Sequence, residues 1–170
     1  PDIRPRFELF RLLAISRTLE RIQHYEVRDP DQRQWFRAHE DQAVYSEPGG
    51  QWLLDSKLLW DLEARLRGTP LGDQTAWAAS ENGLPGECEG YVPCYVEIFR
   101  LTGGRYLELY PAGNHVDDAL ERIDYLLREI IAASAGPRNP YEVPAADRVQ
   151  FRVDVKVLRD TVSRVKSEKR

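Results

Sequence analysis

The chain has 170 residues, of which 42% are hydrophobic and 31% charged, and a net charge of −4. Those proportions suit one folded domain, or one domain with a tail, and argue against a disordered chain. The interspersed, slightly acidic charge argues against broad nucleic-acid binding, and no apolar run approaches the roughly 20 residues of a membrane-spanning helix.

The chain contains no Met and opens at Pro1. A translated chain starts with Met, so a processed N-terminus is expected, with any signal peptide or anchor upstream and residues 1–6 as a polar tether. From about Pro5 to Tyr25, Leu9, Leu12, Ile15, Leu19 and Ile22 recur at three- and four-residue steps, which predicts a helix with one apolar stripe. Asp29-Pro30 breaks it, a short helix from Asp31 to about Glu40 follows, and Ser46 to Gly50 reads as a turn.

The next helix has Asp55 or Ser56 as its cap, a stripe of Leu58, Leu59, Leu62 and Leu66, and acid-before-base pairs at Asp61–Arg65 and Glu63–Arg67. Gly68 sits where a left-handed residue ends a helix, and Thr69 with Pro70 starts another that stops at Asn82-Gly83. So short a connection predicts an antiparallel hairpin.

Residues Tyr91 to Tyr110 admit two readings. Val96–Ile98 and Tyr106–Tyr110 around Gly103-Gly104 resemble a β-hairpin. Val92, Tyr95, Phe99, Thr102, Tyr106 and Leu109 fit a helix, kinked at the glycines, and this register accounts for more positions. Asn114 then caps a helix with Val116, Leu120, Ile123, Leu127 and Ile130 on its stripe, ended by Gly136-Pro137. After a linker at 137–143 comes a last segment, 144–170. Its alternation at 149–155 suggests strand, but the wider spacing of Phe151, Val155, Leu158, Val162 and Val165 favours a helix, docked on the domain or dimerising.

Two stretches echo each other. Arg67 to Ala76 and Tyr110 to Ala119 both join a helix end to an acidic helix start, and Asp73 lies 44 residues before Asp117. A helical hairpin recurring at such a period suggests an α-solenoid. The run Arg105-Tyr-Leu-Glu-Leu-Tyr-Pro-Ala-Gly-Asn-His-Val-Asp-Asp-Ala-Leu resembles the tetratricopeptide-like repeats of bacterial cell-envelope proteins, over about residues 56–133. The 44-residue spacing and Gly103-Gly104 depart from the usual pattern. The resemblance implies an all-α fold of about six to seven helices, an irregular α-solenoid over residues 7–136, binding a protein or peptide partner without chemistry of its own.

Cys88 and Cys94 leave three readings open: a disulfide, two free thiols, or a metal or redox pair. The five-residue gap matches neither a redox motif nor a zinc knuckle. A bridge would imply an oxidising compartment, the periplasm or cell surface; otherwise the cytoplasm is expected. His24, His39 and His115 have no ligand spacing, no phosphate loop is present, and no cofactor is implied. Among the aromatic residues, Trp60, off the Leu58–Leu62 stripe, is the candidate exposed anchor for a partner, with Tyr106 and Tyr110 beside it. The expected function is a non-enzymatic interaction module of the bacterial envelope. The alternatives are a small thiol-dependent enzyme using Cys88, Cys94 and His115, and a structural subunit forming a homodimer through the last helix.

Overall fold

The computed structural model describes residues 2–22, 25–134 and 143–168. Helices carry most of them, with one small sheet, and the chain divides into two compact units, Pro1–Glu87 and Cys88–Arg170. The division falls inside the single helical domain expected over residues 7–136.

In the first unit α1 runs from Arg4 to Leu19, so it takes in the last three residues of the expected tether. Its stripe buries Leu9, Leu12 and Leu19. The short helix α2 (Pro30–Ala38) begins where Asp29 accepts the N–H groups of Asp31 and Gln32 at 3.0 and 2.9 Å. The Ser46–Gly50 turn joins two strands that the periodicity did not predict, β1 (Ala43–Ser46) and β2 (Gln51–Leu54). They pair antiparallel with Tyr45 opposite Trp52, and Gly50 takes φ +60° to close the turn. Four residues are too few to display an alternation, so only the turn between them was legible.

Helix α3 (Ser56–Leu66) starts at Asp55, whose carboxylate accepts the Lys57 N–H at 2.8 Å. Gly68 at φ +77° ends it, and Thr69 Oγ1 accepts the Gly72 N–H at 3.0 Å to open α4 (Pro70–Glu81). The two helices pack on each other, and α1 packs on α3, α4 and β2. Of the two pairs expected on α3, Glu63–Arg67 is present, while the Asp61–Arg65 side-chain pair is replaced by other partners. Glu63 is fully buried and accepts two bonds from Arg67 at 3.0 and 2.9 Å, while Arg65 turns to Glu8 of α1 and Asp61 pairs with Lys57. Asn82 ties the end of α4 to the rest: its amide donates to the Leu54 carbonyl at 2.8 Å, and its Oδ1 accepts from Ser16 Oγ at 3.1 Å.

In the second unit, α5 (Val92–Leu101) and α6 (Gly103–Leu109) meet at Thr102, whose φ of −111° and ψ of −103° interrupt the helix. The kinked-helix reading of residues 91–110 therefore describes this region, and the β-hairpin reading does not. Helix α7 (Val116–Ser134) begins one residue later than an Asn114 cap requires; the His115 carbonyl accepts the Ala119 N–H at 3.0 Å. Helix α8 (Arg148–Glu168) replaces the local strand signal at 149–155. It packs on α5 and α6 and buries Leu158, Thr161 and Val165. The linker expected at 137–143 lies, apart from Val143, outside the described residues.

Candidate binding grooves

The apolar arc of α7 is wider than its neighbour covers. Helix α6 packs on α7, and Val116, Ala119 and Ile123 are buried, whereas Leu120 and Leu127 stay half-exposed. Facing them, α8 presents Val155 and Val162 beside its buried Leu158. The result is a groove of about 570 Å³ between α7 and α8, with Val96 of α5 on its wall. Glu121 and Asp124 stand on the α7 side, Arg159 and Ser163 on the α8 side. Asp124 is bonded by Arg128 at 2.6 Å, chiefly through a hydrogen bond that holds the guanidinium above its ordinary pKa. Beyond the α8 rim, Lys156 bonds Asp160 at 2.6 Å and so holds that carboxyl below its ordinary value. Asp124 and Asp160 are thus partly committed within their own helices.

A second groove of about 350 Å³ lies in the first unit, between α1 and α2. Ile15, Leu19 and Ile22 form one wall and Trp35 and Phe36 the other, with Arg11, Thr18 and Gln32 as the polar lining. Phe36 also belongs to an aromatic cluster: its ring centroid lies 4.4 Å from that of Trp52, and Tyr25 and Tyr45 pack on Trp52 at 6.1 and 5.3 Å. The β-hairpin therefore backs this groove. No periodicity announces this groove, because its walls come from two separate helices.

The anchors expected for a partner are placed differently. Trp60 is 5% exposed, so it belongs to the core and is not an exposed anchor. Tyr106 is fully buried, and its hydroxyl accepts the backbone N–H of His115 at 2.9 Å, which fixes the turn between α6 and α7. Tyr110 is half-buried and stacks on Tyr106 with ring centroids 6.0 Å apart. The three residues do not form one exposed surface.

Cys88 and Cys94 are joined as a disulfide across Cα atoms 5.5 Å apart, and no free cysteine remains. Of the open readings, that pairing is the one present, and the bonded sulfurs are not available as nucleophiles in this state. His115 Nδ1 lies 3.0 Å from Asp118 Oδ2 near the start of α7, and His39 stacks on Trp35 with centroids 4.5 Å apart. His24 lies outside the described residues. Among the described residues no group of three or more His, Cys, Asp or Glu is arranged to hold a metal ion, and no helix is long and apolar enough to cross a membrane. The chain matches no protein-family model, no curated protein and no solved structure.

Proposed function

We propose that this protein is a non-enzymatic binding module that receives a short amphipathic helix of a partner protein in the α7–α8 groove. The observation that carries the proposal is the uncovered apolar strip formed by Leu120 and Leu127 opposite Val155 and Val162. Helix-in-groove recognition uses such a strip to bury side chains spaced at i, i+3 or i+4, and i+7. The lining of α7 runs from Leu120 to Leu127, about 10 Å at 1.5 Å per residue, which suits roughly two turns of a partner helix. Glu121 on the α7 rim is exposed, and its charge favours a basic residue beside the partner's apolar face.

On this reading the helices serve as a scaffold of the tetratricopeptide-like kind, in which helices present a binding surface. The Cys88–Cys94 disulfide supports an oxidising compartment, the bacterial periplasm or cell surface.

The test is selection from a displayed library of helical peptides against the intact chain. Enriched peptides are expected to carry apolar residues at the spacing above and a Lys or Arg on one flank. Their affinity is expected to fall by about tenfold or more in Leu127→Glu, which places a charge in the strip. A library that yields nothing above background, or peptides indifferent to both Leu127→Glu and Val162→Glu, would remove the reading.

A further inference from the structure

Helix α1 has a second apolar face. The side that buries Leu9, Leu12 and Leu19 is the expected one. On the opposite side, Ile3, Phe7 and Phe10 step by four and three and are 61%, 67% and 72% exposed, and exposed Ala14 continues the line. At 100° per residue, Arg4 and Arg11 fall along one side of this ridge, and Arg6 and Arg17 fall along the other. All four arginines are exposed. The only acid within α1 is Glu8, which is half-buried and held by Arg65 of α3; Arg4 is shared with Asp2. A chain with a net charge of −4 thus shows an outward helical face with four arginines, one of them paired with Asp2, and two protruding Phe rings.

From this we infer that α1 lies in the surface of an anionic phospholipid bilayer, with Phe7 and Phe10 among the acyl chains and the arginine rows at headgroup level. A convex aromatic ridge with cations along both edges is the form of a helix that binds in the plane of an interface. The long arginine side chains reach the headgroups while their methylenes stay with the apolar centre. The ridge is not a core face left over from folding, because the same helix already buries its other side. It adjoins the α1–α2 groove, since Ala14 belongs to both. This surface is separate from the α7–α8 groove, and neither depends on the other.

Co-sedimentation of the full chain with vesicles tests the inference. With equimolar phosphatidylglycerol and phosphatidylcholine the protein is expected to pellet, and with phosphatidylcholine alone binding is expected to be about tenfold weaker or less. Raising the salt concentration is expected to release it. The double variant Phe7→Ser/Phe10→Ser removes only exposed rings, so it is expected to melt as the parent does while losing about tenfold or more in binding. Arg6→Gln/Arg17→Gln is expected to lose the preference for the anionic vesicles. No pelleting with anionic vesicles, or pelleting that the Phe variant leaves unchanged, would overturn the inference. So would a free protein that sediments as a dimer and becomes a monomer in the Phe variant, since the ridge would then be a contact between two copies.

Discussion

Gly103 and Gly104 are neighbours that tolerate a side chain very differently. A Cβ on Gly104 would stand 2.7 Å from the Phe99 carbonyl oxygen and 3.3 Å from a Leu158 methyl, so the close approach of α6 to the end of α5 admits no larger residue there. A Cβ on Gly103 would meet Ile123 at 3.7 Å and the Ala119 carbonyl oxygen at 3.9 Å, both ordinary contacts. Gly104→Ala is therefore expected to destabilise the protein by about 1–3 kcal/mol through overpacking, whereas Gly103→Ala is expected to be neutral or to stabilise by up to about 1 kcal/mol by favouring helix. Urea unfolding of the two variants gives the comparison, and equal midpoints would contradict the close approach. The sequence announced a kink at this pair but not which glycine the packing requires. Trp60 shows the same limit. The buried face of α3 runs through Leu59, Leu62 and Glu63, with Trp60 at its edge. A buried glutamate breaks the apolar pattern, so a stripe that starts at Leu58 leaves Trp60 outside it.

At the scale of elements, α2 has no fully buried residue, and its start is held by the two bonds that Asp29 accepts. A nine-residue helix is too short to persist on its own, so cap and aromatic contacts must hold it. Asp29→Ala is expected to cost about 0.5–2 kcal/mol and to raise amide hydrogen exchange in α2 and at the Trp35–Phe36 wall of its groove, with little change in α3 and α4. Unchanged exchange in α2 would show that its packing suffices without the cap. Elements that sit between two strong punctuation marks were legible in the sequence: α3 and α4 follow from Asp55, Gly68, Thr69 and Pro70, and α7 and α8 from their long stripes. Elements that exist because of a partner elsewhere were not. The strands β1 and β2 are too short to carry a pattern and pack their aromatic residues on Tyr25 and Phe36. The grooves were illegible for a related reason, since periodicity shows which side chains are apolar but not which of them a neighbouring helix leaves uncovered.

For the whole molecule, the two units offer a separation that the sequence itself labels. The four tryptophans, Trp35, Trp52, Trp60 and Trp77, all lie in the first unit, and the disulfide lies in the second. Each unit has its own core: Leu12, Leu54 and Leu62 are buried in one, and Val96, Tyr106 and Val165 in the other. Tryptophan fluorescence therefore reports the first unit alone, while far-ultraviolet circular dichroism follows helices in both. Reducing the Cys88–Cys94 bridge releases a short loop in the unfolded chain and is expected to cost the second unit roughly 2 kcal/mol. Its urea midpoint is then expected to fall by roughly 1 M. If the units unfold separately, reductant splits the dichroism transition and leaves the fluorescence midpoint where it was. A fluorescence midpoint that falls together with the dichroism would mean that the two cores unfold as one cooperative body, because the lost constraint could reach the tryptophans only through shared stability.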